Sequence, residues 1–336
     1  MSHPIVIWGA GAMGGSIGAA LVRAGRPVVF VDRDEAHVRA IRQRGLRITG
    51  PVDAFTVEAD ARLPHEMKAG LETVLLAVKA HHTEAALDDL APLLSDGGFI
   101  VSVQNGLNEE VIARRVDEAR TVGCFVNFGA DVMEPGVIQR GNRGAVVVGE
   151  LDGAFTERIQ SVHALLRIFE PDAVLTDNIW GYLWAKLAYG SILFATALAD
   201  ASIADVLDSD AHRPTLVALA HEVMAVAGAR AVRPEAFDGF DPAAFAPDAP
   251  LSDALASLDR LVAFNRSSAK SHSGVWRDLA VRKRKTEVDS QIAPIADAGA
   301  EVGVDTPLVR RLVALIHDVE EGRRSQSWET LDALAE

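Results

Sequence analysis

The chain is nearly without cysteine. A single thiol, Cys124, among 336 residues excludes an internal disulfide. Its place in the strand-like run TVGCFVNFG marks it as a buried, inert thiol rather than a nucleophile. Positive charge is also scarce: 33 Lys and Arg stand against 47 Asp and Glu, a formal net charge of -14. That balance repels a phosphate backbone, and the one basic run, Arg282 to Lys285, is too short to offset it, so nucleic acid is not an expected partner. The N-terminus has no basic segment leading into a long apolar core, because Ile5 to Trp8 runs straight into glycines; no secretory signal is expected, and a cytoplasmic protein is. The one stretch apolar enough to test as a membrane span, Tyr182 to Ala199, contains Lys186 and several small residues and reads as a buried core helix. Internal repeats and low-complexity tracts are missing.

What is present suits a soluble globular chain: 49% of residues are hydrophobic and 24% charged. The length favours two domains. Residues 4–32 read strand, glycine turn, helix, strand, a complete βαβ unit closed by Asp32. Buried-strand runs recur at Thr73–Val78, Gly98–Val103 and Val122–Phe128, which predicts an α/β fold with a doubly wound parallel sheet of Rossmann type. Residues 136–149, with Gly141 to Gly144 at their centre, predict an antiparallel hairpin at the edge of that sheet, followed by a helix over 154–168. After about residue 175 long helical patterns take over, interrupted by a Pro- and Phe-rich stretch at 233–250 that reads as an ordered loop packed on the helices. The expected division is a dinucleotide-binding domain over 1–172 and an all-helical domain over 173–336, with the active site between them.

Gly9, Gly11 and Gly14 form GxGxxG directly between a strand and a helix. The first permits the tight turn, the second lets a pyrophosphate approach, and the third lets helix and strand pack closely; Ala10, Ala12 and Met13 complete the loop. Asp32 suits the adenosine ribose diol and favours NAD, whereas Arg33 suits either adenine stacking, a 2′-phosphate or a solvated surface position. Lys79 and Asn105 follow two further strands, where ligands of doubly wound sheets bind, although a helix-entry charge and a simple turn would look the same. Lys186 lies inside the most apolar helix; burial there would lower its pKa and suit it to protonate a nascent alkoxide, the alternative being a snorkelling side chain. Glu287, in RKRKTEVDSQIAPI, could orient a substrate hydroxyl or pair at the surface. His81 and His82 are expected to diverge on a helix, His221-Glu222 lacks the second histidine of a zinc motif, and Ser271 to Ser273 do not form a nucleophile elbow, so no metal site and no triad are expected.

GAGAMG at 9–14, LLAVKA at 75–80, QNGLN at 104–108, LWAKLA at 183–188 and KTEVDSQ at 285–291 resemble, in order and spacing over nearly the whole chain, the ketopantoate reductase (2-dehydropantoate 2-reductase) family of pantothenate biosynthesis. The resemblance implies a C-terminal domain like that of 6-phosphogluconate dehydrogenase and NAD(P)H-dependent reduction of a 2-oxo acid to the 2-hydroxy acid. It further implies Lys186 as general acid, Asn105 placing nicotinamide and lysine, Lys79 on the coenzyme, and Glu287 on the substrate hydroxyl. Family precedent favours NADP, against Asp32. The substrate wall departs from the pattern: where asparagines usually follow the lysine by one and two turns, Gly190 and Phe194 stand. Ser273 is the best counterpart of the carboxylate-binding serine, with Lys270, His272 and Arg277 adding positive charge nearby. Other readings are a different oxidoreductase on this scaffold (hydroxy-acid oxidation or imine reduction) and a nicotinamide-sensing binding protein without chemistry; a homodimer is a guess from the apolar helices alone.

Overall fold

A computed structural model describes residues 3–267 and 271–336. The chain forms two compact units, Met1–Ile179 and Trp180–Glu336. The first runs β1 (Ile5–Trp8), α1 (Ala12–Arg23), β2 (Val28–Val31), α2 (Glu35–Arg44), β3 (Leu46–Thr49), β4 (Phe55–Val57), β5 (Asp60–Arg62), β6 (Leu71–Leu76), α3 (Thr83–Leu90), β7 (Leu94–Ser102), α4 (Asn108–Val116), β8 (Thr121–Val126), β9 (Gly129–Glu134), β10 (Val137–Asn142), β11 (Val146–Glu150), α5 (Glu157–Phe169) and β12 (Val174–Leu175).

An eight-stranded sheet takes the order β12-β11-β8-β7-β6-β1-β2-β5. Its strands from β5 to β8 are mutually parallel, and β11 joins β8 antiparallel. Every residue of β1 and β2 is buried, as expected where helices cover both faces. The pleat divides them: Ile5, Ile7 and Phe30 belong to one core with Ile17 and Leu21 of α1, while Val6, Trp8, Val29 and Val31 belong to the opposite core with Leu87 of α3 and Ile112 of α4. β1 pairs with β2 on one side and β6 on the other, so the winding reverses there and opens a crevice beyond the carboxyl ends.

The hairpin expected over 136–149 is not formed. β10 and β11 enter different sheets: β11 pairs with β8, whereas β10 lies in a four-stranded sheet of order β4-β3-β10-β9 and makes its hairpin with β9. Gly144 does not turn the chain back; a Cβ there would stand 2.3 Å from the Asn127 carbonyl oxygen, so the glycine serves a close backbone approach.

The second unit is built from α6 (Ile179–Thr196, starting on the last residue of the first unit), α7 (Ile203–Leu207), α8 (Arg213–Ala229), α9 (Leu251–Ser267), α10 (Gly274–Ala280), α11 (Val288–Gln291), α12 (Ala293–Val302), α13 (Pro307–Glu320) and α14 (Trp328–Asp332). The stretch 233–250 is ordered: it contains a 3₁₀ turn over Pro242–Phe245 and buries Phe237, Phe240 and Phe245. Phe240 lies 5.3 Å from Phe245 and 5.4 Å from Tyr189 of α6, ring centre to ring centre. Among the described residues no helix is long and apolar enough to cross a membrane.

Candidate functional site

Gly9 adopts φ +103°, and a Cβ on it would stand 2.6 Å from the Val78 backbone nitrogen, so only glycine lets the turn pass the end of β6. A Cβ on Gly14 would meet the Gly9 carbonyl at 2.2 Å and the Ile7 side chain at 2.8 Å, which is the close helix-to-strand contact expected of the third glycine. At Gly11 an added Cβ meets nothing within 4 Å; the space over the loop is open. Gly11 is also the N-cap of α1, which has no side-chain cap and no acidic residue in its first turn. The first-turn N–H groups of a helix have no intrahelical acceptor, and here they face that open space with the positive end of the helix dipole behind them. The cradle fits a pyrophosphate.

Asp32, at the end of β2, reaches back to this loop: one carboxylate oxygen accepts the Ala10 N–H at 2.9 Å and the other the Asp34 N–H at 3.0 Å. A carboxylate offers about four acceptor directions, so two remain for a ribose diol. Arg33 is drawn across to α3, donating to the Ala85 carbonyl at 3.1 Å and to Asp89 at 3.2 Å.

Lys79 and Asn105 follow β6 and β7, neighbours in the sheet, so the first unit gathers Gly9 to Gly14, Asp32, Arg33, Lys79 and Asn105 along the carboxyl edge of four adjacent strands. A buried polar chain fixes the two loops. Gln104 donates to the Val78 carbonyl (2.9 Å) and to Thr83 (2.8 Å), Thr83 donates to Asn108 (2.7 Å), and Asn108 donates to the Asn105 carbonyl (2.6 Å). The sequence reading missed Gln104, Thr83 and Asn108; their signal was polar residues set tightly around QNG straight after an apolar strand. His81 and His82 do not diverge. They lie in the short 3₁₀ turn Ala80–His82, not an α-helix, and their rings make an edge contact at 4.1 Å.

In the second unit Lys186 stands at the middle of the 18-residue α6, half-buried, between fully buried Trp184 and Ala185 on one side and Ala188 on the other. It is the one charged residue of that helix. Its mid-helix position removes the reading of a lysine snorkelling from a helix end. Gly190 and Phe194, four and eight residues on, share its face. A Cβ on Gly190 would meet nothing within 4 Å, and Phe194 is buried. Tyr189, which the sequence reading passed over, has its phenol pushed up to about 12 by burial, against a hydrogen bond from Asn265 that lowers it, so it stays protonated.

Ser273 caps α10, accepting the Trp276 N–H at 3.0 Å; its hydroxyl proton is left to donate. Glu287 is half-buried at the start of α11, its backbone set by Glu320, which accepts from both the N–H (2.6 Å) and the hydroxyl (2.7 Å) of Thr286. Lys270 lies outside the described residues. His272 packs on Trp276 with ring centres 3.9 Å apart. The basic run is partly neutralised: Arg282 and Arg284 pair with Asp278 at 3.0 and 2.8 Å. Among the described residues no group of three or more His, Cys, Asp or Glu could hold a metal ion.

Two family models match this chain: "Ketopantoate reductase PanE/ApbA" over residues 5–153 and "Ketopantoate reductase PanE/ApbA C terminal" over residues 178–320. The chain belongs to the ketopantoate reductase family. A 2-dehydropantoate 2-reductase of Archaeoglobus fulgidus is 29% identical over 320 residues, covering 95% of this chain and 98% of the relative. Among solved structures, a PanE/ApbA family ketopantoate reductase from Ralstonia eutropha superimposes with TM-score 0.80 at 24% identity, over 96% of this chain and 99% of the other. D-mandelate dehydrogenase with NADH and anilino(oxo)acetate superimposes with TM-score 0.82 at 21% identity, over 95% and 99%. At these identities the two structures establish the shared fold alone. For this ketopantoate reductase family member, the glycine cradle and the lysine helix thus fall in separately matched N- and C-terminal regions.

Proposed function

We propose that this protein reduces a 2-oxo acid to the 2-hydroxy acid with a nicotinamide dinucleotide. Residues 1–172 act as the dinucleotide-binding domain and residues 173–336 as the substrate domain. The coenzyme supplies the hydride. Gly9 to Gly14 hold its pyrophosphate, Asp32 its adenosine ribose, and Lys79 and Asn105 its reacting half. Hydride arriving at the carbonyl carbon leaves negative charge on oxygen; the Lys186 ammonium stabilises that charge and delivers its proton to form the hydroxyl. Glu287 orients the substrate hydroxyl or the lysine, and Ser273 donates to the substrate carboxylate. The observation that carries this reading is Lys186, a single charge at the centre of an otherwise uncharged helix, in a chain whose first unit presents an open, uncapped glycine cradle. Asp32, with Arg33 drawn toward Asp89, supports NADH over NADPH.

The test is a panel of 2-oxo acids with NADH and NADPH, followed by coenzyme absorbance. Turnover of at least one 2-oxo acid is expected, and Lys186→Ala should lower kcat by about two to four orders of magnitude with coenzyme affinity retained. No oxidation of either coenzyme by any acid, or an unimpaired Lys186→Ala variant, sinks the reading. Gly190 and Phe194, in the face that follows the lysine, favour a substrate other than ketopantoate itself. The same panel of acids in reduced form, offered with NAD, tests the reverse direction on the same residues.

A further inference from the structure

His37 is a buried histidine on α2 that the reaction above does not use. Both of its ring nitrogens are engaged. Nδ1 faces the Gly136 N–H at 3.1 Å and Nε2 the Ala10 carbonyl at 2.9 Å. A backbone N–H only donates, so Nδ1 accepts; Nε2 therefore carries the proton and donates to Ala10. Ala10 sits between the first two glycines of the cradle and is itself buried. Its N–H is held by Asp32 and its carbonyl by His37, so the orientation of both peptide planes around Ala10 is fixed from two sides.

The other end of this bridge lies in the four-stranded sheet. Gly136 turns the chain between β9 and β10 at φ +83°, and its carbonyl accepts the Arg47 N–H of β3 at 2.9 Å. The neighbouring Ile138 reaches α1: a Cβ on Gly15 would stand 2.3 Å from its terminal methyl. The small sheet thus braces the cradle twice, by packing on α1 and by a hydrogen-bonded imidazole on Ala10.

We propose that His37 is a positioning residue for the coenzyme, an Nε2–H donor that holds the Ala10 peptide in the orientation the pyrophosphate meets, with the β9–β10 turn as its anchor. The proposal rests on the dinucleotide occupying the glycine cradle. Two substitutions separate its halves. In His37→Asn the amide oxygen replaces Nδ1 and keeps Gly136 but cannot reach Ala10; in His37→Gln the amide nitrogen replaces Nε2 and keeps Ala10 but gives up Gly136.

NADH and NADPH are titrated by fluorescence into the full-length protein and its Asn, Gln and Phe variants at His37, and the thermal midpoint of each is recorded. His37→Asn and His37→Phe should weaken coenzyme binding about tenfold, the scale of one buried hydrogen bond. His37→Gln should bind within about twofold of wild type while its midpoint falls below that of His37→Asn. Turnover at saturating coenzyme should change less than about twofold in all three. Equal affinity across the variants, or an equal loss in Asn and Gln, overturns the proposal. If the Phe variant does not fold, the Asn and Gln pair decides alone. A wild-type protein that binds neither coenzyme overturns the functional reading and this proposal with it; wild-type binding with unaffected variants overturns this proposal only.

Discussion

Two helices begin with the same physical problem and solve it oppositely. α13 starts at Pro307 with no side-chain cap of its own, and Glu222 of α8 supplies one from a distance: its two carboxylate oxygens accept the N–H groups of Leu308 and Val309, each at 2.9 Å. α1 starts at Ala12 with Gly11 as its N-cap, which has no side chain to cap it, and its first turn holds no acidic residue. One helix end is closed by a carboxylate from within the protein, whereas the end proposed to hold a pyrophosphate is left without a side-chain cap. The cost of the permanent solution is visible in the carboxylate itself. Burial raises the pKa of Glu222 above its ordinary value of 4.5, outweighing the two backbone hydrogen bonds that lower it.

The sharpest way to break the contrast is to give α1 the solution of α13. Gly11→Asp places a carboxylate where the pyrophosphate belongs, and space exists for it. Coenzyme Kd should rise by about a hundredfold or more, as for like charges a few ångströms apart near a surface, while the thermal midpoint holds or rises slightly, since Asp caps better than Gly by only roughly 0.3 kcal/mol. A variant with wild-type affinity would show that the loop is not the phosphate cradle. The converse change, Glu222→Ala, leaves two N–H groups of α13 without their partner and should cost about 1–3 kcal/mol of stability in denaturant titration. Coenzyme affinity should be unaffected by it.

Acidity sharpens the same comparison with smaller effects. Because the folded-state pKa of Glu222 is raised, the folded protein binds this proton more readily, and stability falls as pH rises from 4.5 through the raised value. The neighbouring His221 has the opposite sign. Burial depresses its pKa below 6.5, so the unfolded chain binds the proton more readily and stability falls as pH drops below 6.5. Thermal midpoints measured across this range should lose the alkaline-going decline in Glu222→Gln and the acid-going decline in His221→Leu. Smallest of all, Asp89→Asn frees Arg33 from an exposed ion pair and should shift the NADPH-to-NADH ratio of kcat/KM toward NADPH by about twofold.

These two helix ends also mark what a sequence discloses. The glycine cradle was legible because its chemistry is local: a turn, a close approach and a helix start within a few residues of one another, with Asp32 at the next strand end. Lys186 was legible because a charge in IWGYLWAKLAYGSILFAT contradicts its surroundings. Glu222 and His37 were not, since a polar residue on one face of a helix looks the same whether it meets water or a backbone N–H far along the chain. The four-stranded sheet was missed for the same reason. Its strands LRIT and FTV are short, and β3 finds its parallel partner β10 only across most of the unit, so no local period announces the pairing. The turn-like Gly141 to Gly144 then invited a hairpin that close packing against Asn127 explains better.

The glycines of α1 carry one more implication, for the order in which the protein is assembled. Gly14, Gly15 and Gly18 each lie where a Cβ would collide with a neighbour: the Gly9 carbonyl, Ile138 and Phe30 in turn. Each also weakens the helix by about 1 kcal/mol relative to alanine, so α1 is poorly able to persist by itself. One of the surfaces that holds it, β10, lies far along the chain from it. The helix proposed to bind the coenzyme should therefore be among the last parts of its unit to gain amide-exchange protection during refolding, and among the first to lose it on warming.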